Sequence, residues 1–152
     1  MIQRIQSLWL FLAAVALIAV LFLPVGMFKM PHGLYECTAF KLTPAGSVSP
    51  MNLPVWLIGL LSAVAGFISF LAIFLFKKRG LQIRVTWMAL LFKGILLLGM
   101  IGMFLYFKNV LDSWVGCGPA VLMPLLGIVL DFLAIKAIQK DDALVKSLDR
   151  IR

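Results

Sequence analysis

A chain of 152 residues is the length of one soluble domain, but 63% hydrophobic and 13% charged residues lie far from the globular norm of about 45–50% and 25%, which indicates an integral membrane protein. The net charge of +8 does not point to nucleic acid, because the basic residues sit at the ends of apolar runs and in one short turn, KKRGLQIR, without the basic face of a nucleic-acid module. No nucleotide loop, nucleophile–base constellation, haem motif or metal-ligand spacing is present, so neither an enzyme nor a cofactor is expected.

Four segments exceed the roughly 17–25 apolar residues needed to cross about 30 Å of hydrocarbon: residues 7–28, 54–76, 85–107 and 117–138. The first follows MIQRIQ, as a secretory signal would. Its apolar run is longer than the usual 7–15 or so residues and no A-x-A site follows, so it is read as a span. Pro24 and Pro124 fall inside apolar runs and should kink or end their helices.

Residues 29–53 form an external loop of about 25 residues, long for a simple connection. It holds Pro31, Pro44 and Pro50 and the turn-forming TPAGS. LYECTAFKL has the pattern of a short strand. SVSPM would be a poor hairpin partner for it, because proline removes a ladder donor. The expected fold class is therefore all-α: one membrane domain, a four-transmembrane-helix bundle with this external loop and a cytoplasmic C-terminal amphipathic helix over 139–152. No internal repeat is visible.

In the second span Ser62 and Gly66 are four apart, and the third carries Gly94, Gly99 and Gly102. Such small residues let helix backbones approach where lipid competes for apolar contact, so they are the expected packing positions. Orientation follows from the basic residues, which are retained on the cytoplasmic side. Arg4, Lys77, Lys78, Arg79, Arg84, Lys136, Lys140, Lys146, Arg150 and Arg152 fall on one side, and only Lys29, Lys41 and Lys108 on the other. Both termini are thus expected in the cytoplasm, with the basic residues touching anionic lipid.

Lys93 stands alone in LLFKGILLLG. A lysine near mid-membrane costs about 2.5–3.5 kcal/mol on insertion scales and so seeks water or an opposite charge. Asp131, in GIVLDFLAIKAI, is the candidate. Lys93 lies roughly 12 Å and Asp131 roughly 10 Å from the same surface at 1.5 Å per residue. The short connection KNVLDSWVG makes their spans antiparallel neighbours, so an intramembrane charge pair is expected. It could fix helix register, or it could be an ion or proton site.

Cys37 and Cys117 both fall on the predicted external side, where an even count indicates a structural disulfide. Closing a loop of about 80 residues would contribute a few kcal/mol. Thiol–disulfide catalysis is the sharper alternative, but it uses a reactive pair close in sequence, usually C-x-x-C, which is missing. His32, Glu36, Cys37 and Cys117 supply metal-ligand types without a zinc spacing. In the tail, Leu144, Leu148 and Ile151 recur at steps of four and three, and Asp142 and Lys146 are placed for an i,i+4 pair. This helix would lie on the inner leaflet or dock a partner.

MIQRIQSLWLFLAAV, the basic turn FKKRGLQIR and the ending LAIKAIQKDDALVKSLDRIR together resemble a family of small four-span bacterial membrane proteins known as domain-of-unknown-function family 4293. The resemblance covers nearly the whole chain. It implies a bacterial inner membrane and four helices with both ends inside, and it carries no activity or site. The function expected is that of a non-enzymatic accessory or assembly subunit, whose partners are membrane lipid and another membrane protein or a second copy. A small carrier or channel component working through Asp131 and Lys93 is the alternative.

Overall fold

The computed structural model describes residues 3–30, 33–44, 54–110 and 114–149. An apolar run free of proline and glycine forms α1, Gln3–Val20. It stops four residues before Pro24, whose ring disfavours helix in the residue preceding it. Leu21 and Leu23 make only turn bonds back to Ile18 and Ala19. The chain leaves extended, as β1, Gly26–Met30.

Strand β1 folds back antiparallel on β2, Gly33–Cys37. Gly33 has φ 145°, a region that residues with a Cβ rarely adopt. Thr38 closes the next turn by accepting a backbone bond from Lys41 and donating its hydroxyl to the Lys41 carbonyl at 2.9 Å, which leads into β3, Leu42–Pro44. From far along the chain β4, Trp114–Cys117, pairs with the open edge of β1, so the order is β3-β2-β1-β4. The all-α expectation is corrected accordingly. The run LFLPVGMF is apolar throughout and hides the change from helix to strand at Pro24, while the second partner of β1 lies some 90 residues away, beyond the reach of local pattern.

Helix α2 covers Trp56–Phe74 and α3, after a single 3-10 turn at Leu75–Lys77, covers Arg79–Val110. Helix α4, Leu122–Asp149, is entered through a 3-10 turn at Pro119–Val121. Its start replaces the expected one at residue 117. Pro124 lies in its first turn, where the missing N–H has no helical acceptor to lose, so it neither kinks nor ends the helix. Trp56–Phe74, Arg79–Asn109 and Pro119–Val145 are long and apolar enough to cross a membrane, and Ile5–Val20 is a shorter apolar helix.

The helices close a ring in which α1 and α3 each pack on α2 and α4. The sheet covers the end where α3 finishes and α4 begins. Phe28 of β1 is fully buried, with its ring centroid 5.6 Å from Phe104 and 4.2 Å from Phe107 of α3. The Ala39 carbonyl accepts the Gly59 N–H at 2.9 Å, and the Phe40 ring fills the space a side chain on Gly59 would need. These contacts tie the sheet to α2 as well.

Candidate functional site

Helix α3 turns Gln82, Thr86, Ala89, Lys93, Leu96 and Met100 inward, at alternating steps of four and three. That is the spacing of one helical face. The facing stripe of α2 is Ser62, Ala65, Gly66, Ser69 and Ala72, all buried. Helix α4 contributes Asp131, Ala134 and Ile138. The ring is thus apolar outside, with a polar seam inside.

Lys93 and Asp131 meet at the middle of this seam. Both side chains are fully buried, and the Lys93 ammonium donates to Asp131 Oδ2. It donates also to Ser69 Oγ at 2.8 Å. Ser69 gives its own proton to the Ala65 carbonyl at 3.1 Å, which leaves a lone pair for the lysine. Three helices therefore share one charge centre. Asp131 Oδ1, by contrast, is buried without a hydrogen-bond partner.

Space for the lysine stem comes from Gly127, one turn before Asp131. A Cβ there would lie 3.3 Å from Lys93 Cδ and Cε and 2.7 Å from Leu17 Cδ2. Toward the end opposite the sheet, the Thr86 hydroxyl donates to the Gln82 carbonyl at 2.8 Å. Gln82 Nε2 reaches across to the Ala72 carbonyl of α2 at 3.1 Å. Arg79 pairs with Asp141 at 3.1 Å, joining α3 to α4. Gln6 Nε2 donates to the Ala137 carbonyl, joining α1 to α4. The sequence alone marks none of these side chains as a site residue. The spacing of Gln82, Thr86 and Lys93 on one helical face was the available signal, and so was Ser69, seven residues beyond Ser62.

Of the glycines expected to set helix packing, Gly66 does so: a Cβ there would stand 3.3 Å from Leu17 Cβ of α1. Ser62 is buried and bonds back to the Ile58 carbonyl at 2.7 Å. Gly94, Gly99 and Gly102 have open space where a Cβ would stand, so they are not close-approach points of this ring. Gly99 and Gly102 instead floor an apolar groove of about 480 Å³ between α2 and α3.

The expected disulfide is corrected too, since Cys37 and Cys117 are both free thiols. Gly26 pairs with Cys37 on one side and with Cys117 on the other. Two interstrand spacings of about 4.8 Å thus separate them, beyond the roughly 7 Å between Cα atoms that a disulfide spans. Burial pushes the Cys37 thiol up to about 12, whereas Cys117 is exposed. The tail continues α4 to Asp149 without a break, with Leu144 45% exposed. The side chains of Lys146 and Leu148, and residues 31–32 and 150–152 with His32 and Ile151, lie outside the described part.

The DUF4293 family, described as a domain of unknown function, matches over residues 2–151. No curated protein and no solved structure matches the chain.

Proposed function

The chain belongs to the DUF4293 family, and for it we propose an integral membrane protein, a four-transmembrane-helix bundle that acts by association as a non-enzymatic accessory or assembly subunit of a larger membrane complex. The observation that carries this reading is how the bundle divides its chemistry. Its charges are turned on each other inside, where Lys93, Asp131 and Ser69 are fully buried, and its outward helix faces are apolar. Phe67, Leu91, Ile95, Leu98 and Leu126 are among many large apolar side chains at half exposure or more. A surface of that kind is stable only against lipid or another apolar surface.

The basic residues Lys78, Arg79, Arg84, Lys136 and Lys140 gather at the end opposite the sheet, which supports a cytoplasmic placement for that end and for both termini in a bacterial inner membrane. The sheet then caps the outer face. The reading is tested by crosslinking in native membranes, gentle extraction and native mass spectrometry. A stoichiometric assembly larger than the 16.8 kDa chain is the expected result, and a lipid-bound monomer is the result that contradicts it.

One observation favours a second reading, a small carrier or channel component. Asp131 Oδ1 is buried and unpartnered, so it has a free position for a proton or ion. In that reading Asp131→Asn abolishes flux in liposomes even in the fraction that thermal unfolding shows to be folded. In the accessory reading no flux is measured with either form.

A further inference from the structure

A second groove, of about 410 Å³, runs between α3 and α4 and is lined by Trp87, Leu90, Ile128, Val129, Phe132 and Leu133. All six are apolar, and four of them, Trp87, Val129, Phe132 and Leu133, are between 39% and 51% exposed. The groove therefore opens on the outward surface of the bundle. Basic residues continue both of its walls toward the end opposite the sheet. On α4, Lys136 follows Val129 by seven residues and Lys140 follows Leu133 by seven, which is two turns on the same face. On α3, Arg84 precedes Trp87 by three, which is also a neighbouring position on one face. Lys136 already leans over the groove, with Nζ 4.7 Å from the Phe132 ring centroid. Asp141, next to Lys140 in the chain, is paired with Arg79.

We infer that this groove seats the acyl chain of an anionic phospholipid of the inner leaflet, whose phosphate is held by Arg84, Lys136 and Lys140. The inference rests on the membrane reading proposed above. Shape and charge complementarity carry it. An apolar trough ending in cations matches a molecule with an apolar chain ending in a negative headgroup, and basic pockets between membrane helices are a recognised form of such a site. Trp87 adds an indole at the depth where amphipathic rings favour the interface between hydrocarbon and headgroups. A zwitterionic lipid of zero net charge would fill the trough but set its own headgroup cation beside these three, and a second copy of the chain would bring the same cations against themselves.

The test compares retention of phosphatidylglycerol and phosphatidylcholine by the full chain, using native mass spectrometry after reconstitution in equimolar vesicles of the two. The wild type is expected to retain phosphatidylglycerol preferentially. Arg84→Gln with Lys136→Gln and Lys140→Gln should weaken that retention by about a hundredfold, at roughly 1 kcal/mol per cation. The same charge change made at Lys29, Lys41 and Lys108 should leave the preference intact. Leu133→Trp, which fills the trough, should lower retention of both lipids. Equal retention of the two lipids by the wild type, or an undiminished preference in the first triple variant, overturns the inference. Alkaline extraction of the same membranes separates the two failures. A chain released into the aqueous phase sinks the membrane reading itself, and a chain that stays embedded without lipid preference sinks only the site.

Discussion

Lys93 and Asp131 are each a lone charge in an apolar run, and the two runs bring them to matched depth. The structure puts them in contact and adds Ser69 as a second acceptor for the lysine. Gly127 was not legible, since a glycine in an apolar helix says nothing of the side chain it leaves room for. Its consequence is steric. Gly127→Ala needs only the flexible Leu17 tip and the lysine stem to shift, whereas Gly127→Val should lose about 1–3 kcal/mol by overpacking, read as thermal unfolding in detergent. The cysteines give a prediction of a different kind. At pH 8 a maleimide should label Cys117 and spare Cys37, which is fully buried. The folded Cys37 thiol is raised from 9.0 to about 12, so its contribution to stability is complete below pH 9 and is lost as the pH climbs from 9 toward 12. Alkaline unfolding should therefore expose Cys37 to the reagent in that window, and Cys37→Ser should flatten the pH dependence there.

Among the elements, the three long helices were readable from hydropathy alone, because spanning length and composition are local properties. The strands were not. β1 begins inside what hydropathy gives as one apolar run, and of its two partners one follows at once while the other lies far along the chain. The junctions that hold the sheet to the helices are set by glycines that pattern reading passed over. The Gly118 N–H donates to the Val25 carbonyl at 2.8 Å, and a Cβ on Gly118 would collide with the Pro24 carbonyl oxygen, a backbone atom that cannot step aside. Gly118→Ala should then lose about 1–3 kcal/mol. Gly99→Ala and Gly102→Ala, which enter open space on a helix, should instead be neutral or gain up to about 1 kcal/mol each from helix propensity. Unfolding of the three variants in one detergent gives the comparison, and it reverses the ranking that small-residue spacing alone suggests.

At the scale of the molecule, the charge pair, the Gln6 and Gln82 cross-helix bonds and the Arg79–Asp141 pair link each neighbouring helix pair except α1 with α2, where Gly66 against Leu17 supplies close packing instead. Polar contacts so distributed suit a bundle that keeps one arrangement while its outward helix faces stay apolar. They also define what removing one charge does. A buried ion pair adds little net stability over apolar residues of similar volume, yet stripping one partner strands a charge and costs about 3–5 kcal/mol. The central claim, that Lys93 and Asp131 serve each other as the pin of the bundle, is tested most directly by a double-mutant cycle. Thermal unfolding in detergent is measured for the wild type, Lys93→Met, Asp131→Leu and the double variant. The account predicts two strongly destabilised single variants and a double variant that recovers most of the loss. A double variant no more stable than the worse single one would contradict it.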